Sequence, residues 1–397
     1  MTIINRTIFS QLINALSDQR VIVITGMRRV GKTTTLHWLL DQIPSTNKIF
    51  LDLERLDHRQ IFQESNYDIV LNYFRNLGMD PQKPLTVALD EIQYAPNLPS
   101  VVKYLYDHYG IKFLLSGSSS FYLKNFFSES MAGRKIVYEM FPLGFGEFLD
   151  FKGVPYHRRS NLQDMLFDPY EFERLKRYYD EYVTYGGLPN IVLESDLNKK
   201  REILQDIYSS YINIDVKSMA DFRKIGELQQ LLKALAIRIG NKVNFTKLSL
   251  IIGISRPTLY EYLEFLDKTY IIHLLPAYAG HDKSLALGKK LYFRDNGIAS
   301  LLAHPGDGAL FENALFNQLW AYGSLSYLSK GNDYELDFIL TESQNEPVGV
   351  EAKIHPVIKD HNRLKRIAQK NDINNFWLAG RYPTPDFDHF IWGGLIF

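Results

Sequence analysis

Val21-Ile22-Val23-Ile24-Thr25-Gly26-Met27-Arg28-Arg29-Val30-Gly31-Lys32-Thr33-Thr34 is the most informative run in the chain. Its first five residues are β-branched without exception, which predicts a buried strand. The next nine satisfy G-x-x-x-x-G-K-[ST] at the turn from that strand into a helix. Each residue type there has a mechanical reason. Gly26 and Gly31 let the backbone curl, so that successive amide N–H groups and the N-terminus of the following helix converge on one anionic centre. Lys32 adds a mobile positive charge suited to β- and γ-phosphates. The Thr33 hydroxyl is a hard oxygen ligand of the kind Mg²⁺ takes, and Thr34 is placed to support an α-phosphate.

Three further apolar runs, Lys48 to Leu53, Leu85 to Leu89 and Lys112 to Leu115, are separated from the first and from one another by helix-length segments. Strands alternating with helices predict a mostly parallel sheet covered on both faces, an α/β P-loop NTPase core. The third run ends in Asp90-Glu91. An apolar strand that finishes in two acids is costly unless they meet a cation or water. Asp90 is therefore the candidate to position Mg²⁺, and Glu91 the candidate general base for an attacking water. The fourth run ends in Ser116-Gly117-Ser118-Ser119-Ser120, at the sheet edge where open α/β folds bind ligands. Ser118 or Ser116 is positioned to sense a γ-phosphate, and Arg134, in Ala132-Gly133-Arg134, to reach a phosphate in its own or a neighbouring subunit.

Composition narrows the field. The chain has 397 residues, 46% hydrophobic and 14% aromatic, enough to exclude a mainly disordered protein and to imply several domains. Lys plus Arg and Asp plus Glu both number 45, so a grip on nucleic acid would need a local basic face. With no cysteine there are no disulfides, thiolate metal sites or cysteine nucleophiles, as in a reducing compartment. The first twenty residues lack the apolar core of a secretory signal and no eighteen-residue apolar span occurs, so the expectation is a cytoplasmic protein with no membrane segment. The ten histidines show no metal-ligand spacing.

Four segments are expected: residues 1–150, the P-loop domain, opened by an amphipathic helix on Ile8, Leu12, Ile13 and Leu16; 151–225, a helical lid or connector broken at Tyr185-Gly186-Gly187-Leu188-Pro189; 226–300, a winged helix; and 301–397, a small α/β domain. In the third, Phe245 to Ser255 and Arg256 to Tyr270 read as helix, Gly-containing turn and helix, followed by a strand in Ile271-Ile272-His273-Leu274-Leu275. Its second helix offers Arg256, Thr258 and Tyr260 to DNA, but also Glu261, Glu264 and Asp267, which oppose a phosphate backbone. In the fourth, Glu312 falls on a helix, Asp337 on the strand Tyr334 to Leu340, and Glu351 and Lys353 two apart on the next strand and so on one face. Two carboxylates can hold Mg²⁺ while a lysine orients a water. The order of helix, hairpin, strand, helix and strand resembles the PD-(D/E)xK nuclease fold, which marks Glu312, Asp337, Glu351 and Lys353 as a candidate nuclease site. A retained fold does not establish the chemistry.

The loop Gly-Met-Arg-Arg-Val-Gly-Lys-Thr-Thr, the Leu89-Asp90-Glu91-Ile92-Gln93 strand end, the Ser116 cluster, Ala132-Gly133-Arg134, Phe141-Pro142-Leu143 with Glu147-Phe148, and the Tyr185 to Pro189 break together resemble the AAA-like P-loop ATPases of bacteria and archaea. The paired arginines in the loop are the most specific mark, and Arg29 is counted with the nucleotide-binding residues. The resemblance implies ATP binding and hydrolysis by the Walker residues, beside a C-terminal domain of uncertain function; the residues themselves lead to the expectation of Mg²⁺-dependent ATP hydrolysis coupled to a C-terminal module that contacts DNA or a protein. Two rivals remain open: a metal-dependent DNA nuclease with regulatory ATP binding, and a slow nucleotide-gated protein-interaction switch.

Overall fold

A computed structural model describes all residues except 1–2, 65, 119–130, 159–164, 218–224, 280–286, 332, 342–345 and 384–387, so Ser119 and Ser120 lie outside the described residues. The chain forms two compact units. One comprises Met1–Phe141 with Lys268–Tyr270, the other Pro142–Asp267 with Ile271–Phe397. The three segments expected after residue 150 all fall in the second of these units, apart from Lys268–Tyr270.

The first unit is built on a five-stranded sheet. Its strands are β1 (Val21–Gly26), β2 (Lys48–Asp52), β3 (Thr86–Asp90), β4 (Lys112–Gly117) and β5 (Lys135–Met140), in the order β2-β3-β4-β1-β5 and parallel throughout. All residues of β1 and β3 are buried, as near-continuous apolar runs require in a sheet with helices on both faces. Val21, Val23, Val87, Leu89, Phe113 and Leu115 pack together with Phe62, Phe74, Val101 and Leu105 from the intervening helices. The opening helix, Phe9–Leu16, buries Phe9, Leu12 and Ala15, leaving Ile13 exposed. Its apolar face is therefore rotated from the expected one, because Phe9 stacks on Trp38 at 3.7 Å.

The second unit contains the helices Phe145–Lys152, Pro169–Tyr185, Pro189–Leu193 and Leu197–Ser210, then Phe245–Ile252 and, up to Asp267, Arg256–Lys268, these two joined through Gly253 in the left-handed region. The antiparallel pair β6 (Ile272–Pro276) and β7 (Lys289–Phe293) follows. A second five-stranded sheet comes last: β8 (Ser324–Lys330), β9 (Tyr334–Thr341), β10 (Val348–Lys353), β11 (Asn375–Gly380) and β12 (Phe390–Trp392), in that spatial order. Strands β8 to β10 run antiparallel and β10 to β12 parallel. The helices Asp307–Leu319 and Ile358–Lys370 precede and interrupt it. The break at Tyr185 to Pro189 has a local cause. Gly186 has φ 77°, and a Cβ on Gly187 would stand 2.1 Å from the Leu143 carbonyl oxygen. The Gly187 N–H donates to the buried Asp295 carboxylate at 2.8 Å, which seats the connector against the residues after β7.

Candidate functional site

The loop after β1 is shaped by backbone that only particular residues tolerate. Gly26 pairs with Met140 of β5, and a Cβ there would lie 2.0 Å from the Met140 carbonyl oxygen. Arg29 takes φ 67°, and Gly31 takes φ 100° as the residue capping the helix Lys32–Asp41. The loop therefore doubles back immediately before a helix N-terminus, the arrangement that turns amide N–H groups toward an anion. Lys32 is 4% exposed, and its Nζ donates to the carbonyl oxygens of Gly26 at 3.0 Å and Met27 at 2.9 Å. Thr33, Thr34 and Arg29 face solvent.

The acidic end of β3 meets this loop. Thr33 Oγ1 donates to Asp90 Oδ2 at 2.6 Å, and Ser116 Oγ, at the end of β4, donates to Asp90 Oδ1. Burial raises the Asp90 pKa above its ordinary value, against the opposing hydrogen bonds from Ser116 and Thr33. A hydroxyl and a carboxylate in contact form an oxygen donor set, which suits Mg²⁺. Glu91, the next residue, has φ 54°, so the chain turns sharply where the strand stops. Its Oε2 accepts from Gln93 Nε2 at 2.5 Å, and the same amide reaches Ser118 Oγ at 3.1 Å. Gly26, Arg29, Gly31, Lys32, Thr33, Thr34, Asp90, Glu91, Ser116 and Ser118 thus lie at the C-terminal edge of the sheet, with Thr33 joined to Asp90 and Glu91 joined through Gln93 to Ser118.

Arg134 does not. Strand β5 starts at Lys135 opposite Val21, and Arg134 O accepts from Val21 N, so Arg134 stands at the other edge of the sheet, about 16 Å along β1 from the loop. There it pairs with Asp107 at 2.8 Å. The expectation that it reaches a phosphate in its own chain fails on this geometry.

Two contributors escaped the sequence reading. Arg6, 7% exposed, donates to Val30 O inside the loop at 3.0 Å and to Phe141 O at 2.9 Å, tying the loop to the strand beside it. Gln93 was visible only as part of a motif. A single arginine 24 residues upstream carries no spacing signal, whereas a polar residue two after an acidic strand end does.

In the second unit the structure gathers Glu312, Asp337, Glu351 and Lys353, and adds Glu335 and Lys290. The backbone N–H of Ala352 donates to Asp337 Oδ2 at 3.1 Å, and Lys353 Nζ donates to Glu351 Oε1 at 2.7 Å. Tyr292 OH donates to Glu312 Oε1 at 2.7 Å. Burial raises the pKa values of Glu312 and Glu351; Asp337 goes the other way, because the Lys290 and Lys353 ammonium groups outweigh its burial. Lys290, on β7 in the preceding segment, had no motif to announce it. On the helix Arg256–Lys268, Arg256, Tyr260, Glu261 and Glu264 are exposed together.

Comparison with known proteins places these sites in context. Residues 18–149 match a family described as an AAA domain, and residues 176–307 match a domain of unknown function. An uncharacterized protein of Methanocaldococcus jannaschii is 29% identical over 358 residues, 88% of this chain and 77% of the relative. An uncharacterized protein of Haemophilus influenzae is 25% identical over 387 residues, 94% and 92% of the two chains. Among solved structures, a Walker-type ATPase of Pyrococcus abyssi shares the fold with a TM-score of 0.51 and 18% identity, over 76% of this chain and 96% of that one. Of the described residues, no helix is long and apolar enough to cross a membrane. Residues 18–149 are thus similar to an AAA domain, and the chain shares the fold of that Walker-type ATPase.

Proposed function

We propose that the protein binds ATP with Mg²⁺ in the loop Gly26–Thr34 and hydrolyses it, with the nucleotide state governing a C-terminal module that holds a DNA or protein partner. The observation that carries the reading is the 2.6 Å hydrogen bond from Thr33 to Asp90, which brings together a helix N-terminus and a strand end 57 residues apart. In this reading the amides from Gly26 to Thr33 hold the phosphates, Lys32 leaves its carbonyl partners for the β- and γ-oxygens, and Thr33 and Asp90 hold the metal. Bound Mg²⁺ supplies positive charge to the phosphates as negative charge shifts toward the leaving oxygen. Glu91 accepts a proton from the attacking water, held by Gln93, and Ser118 lies within the same hydrogen-bonded set.

For the partner, the exposed Glu261 and Glu264 beside Arg256 favour a protein over a phosphate backbone. The helix, turn, helix and two-stranded ribbon is read as a winged helix, and the last segment as a nuclease-like fold. Steady-state ATPase assays of the wild type, Lys32→Ala and Glu91→Gln test the enzymatic claim. Both variants are expected to lose about 100-fold or more in turnover. Equal rates in all three would refute hydrolysis at this site.

A further inference from the structure

A divalent cation in the C-terminal carboxylate cluster would have to lie among Glu312, Asp337 and Glu351. Two of these three, Glu312 and Asp337, already face a cationic side chain. Lys290 extends from β7 with its ammonium 2.8 Å from Glu335 Oε1, 3.1 Å from Asp337 Oδ1 and 3.7 Å from Glu312 Oε1, and it is 1% exposed. An ammonium offers three N–H donors, and carboxylates from two separate elements surround this one. The other charges are matched as well. Lys242 pairs with Glu335 at 3.1 Å, Lys353 with Glu351 at 2.7 Å, and Arg363 stands 3.8 Å from Glu351. Four carboxylates thus face four cations supplied by the chain. Among the described residues no group of three or more His, Asp or Glu side chains is disposed to hold a metal ion. One atom points the other way: Glu351 Oε2 is buried without a hydrogen-bond partner. The other oxygen of that carboxylate, Oε1, accepts from Lys353 Nζ.

We propose that Lys290 is the built-in cation of this cluster, standing where a divalent metal would bind, so that the C-terminal module is closed to Mg²⁺ and Mn²⁺ and performs no metal-dependent phosphodiester cleavage. The residues present do not fit the metal that a PD-(D/E)xK fold implies. Because Lys290 comes from the ribbon and its partners from β9 and the helix Asp307–Leu319, the ammonium also fastens the ribbon to the final sheet, a structural role for residues that elsewhere would read as catalytic.

Calorimetric titration of the nucleotide-free full chain with Mn²⁺ tests this in four proteins: wild type, Glu351→Gln, Lys290→Met and the Lys290→Met/Glu351→Gln double variant. Wild type and Glu351→Gln should show the same Mn²⁺ binding. Lys290→Met should bind Mn²⁺ about tenfold tighter or more, with the gain abolished in the double variant. A wild-type Mn²⁺ site that disappears in Glu351→Gln overturns the proposal, whether or not Lys290→Met folds. So does a folded Lys290→Met with no gained site, or wild-type cleavage of supercoiled DNA in Mn²⁺ that Asp337→Ala abolishes.

Discussion

Asp90 shows how much of the proposed nucleotide site is decided by one buried carboxyl group. Its carboxylate ends an apolar strand at 3% exposure, yet two hydroxyls from different segments donate to it. Desolvation is therefore met by hydrogen bonds in a position where a cation can share the same oxygens. The loop that faces it depends on Arg6. Replacing Arg6 by Ala leaves the carbonyls of Val30 and Phe141 without that donor, at a cost of about 1–3 kcal/mol. Lower melting temperature and weaker ATP affinity are expected together in Arg6→Ala, and calorimetry that finds both unchanged would remove the arginine from the account. Gln93 acts on a different step, because it touches Glu91 and not the loop. Gln93→Ala should lower kcat about tenfold while leaving KM near that of the wild type. A rise in KM with kcat intact would show that it serves binding instead.

Among the elements, the three central strands β1, β3 and β4 were legible because burial on both faces leaves uninterrupted apolar runs, and the edge strand β2 still keeps the apolar run Ile49-Phe50-Leu51. Strand β5 was not. Its sequence, Lys-Ile-Val-Tyr-Glu-Met, lies at the sheet edge with one face exposed, and so it mixes charge with apolar residues and resembles a loop. The Gly186-Gly187 break was visible as a break, but its cause, the Asp295 carboxylate and the Leu143 carbonyl packed against it, is contributed by residues more than 40 and 100 positions away. Gly187→Ala should destabilise the second unit by roughly 3 kcal/mol, read as a lower denaturant midpoint, because the added methyl meets backbone. Burial also pushes the Asp295 pKa up to about 6, from the ordinary 3.8. Between about pH 4 and 6 the folded state then binds more protons at this site than the unfolded state, so its contribution to stability falls as pH rises. Relative to Asp295→Asn, the wild type should lose stability across that window, and parallel pH profiles for the two proteins would contradict the assignment.

For the molecule as a whole, short-range signals were legible in the sequence and long-range contacts were not. The P-loop, the acidic strand end and the strands that carry Asp337, Glu351 and Lys353 are each signals of fewer than ten residues, whereas Glu312 lies on a helix 25 residues before Asp337. Domain limits depend on contacts far apart in sequence. The helix Pro169–Tyr185, expected in a connector, packs into the same unit as the last sheet through Tyr179, whose hydroxyl donates to Gln318 and whose ring meets Trp392 edge-on. Lys290 was overlooked for the same reason: its carboxylates lie 22 to 47 residues further along the chain. One proposed function is anchored in each unit: a triphosphate site in the first, and in the second a partner-holding module closed to divalent metal. The foundation is the first of these, and calorimetric titration of the full chain with ATP in Mg²⁺ tests that most directly. The wild type should give a saturable heat with one nucleotide per chain and a raised melting temperature, both lost in Lys32→Ala; a wild type with neither heat nor melting shift would contradict it.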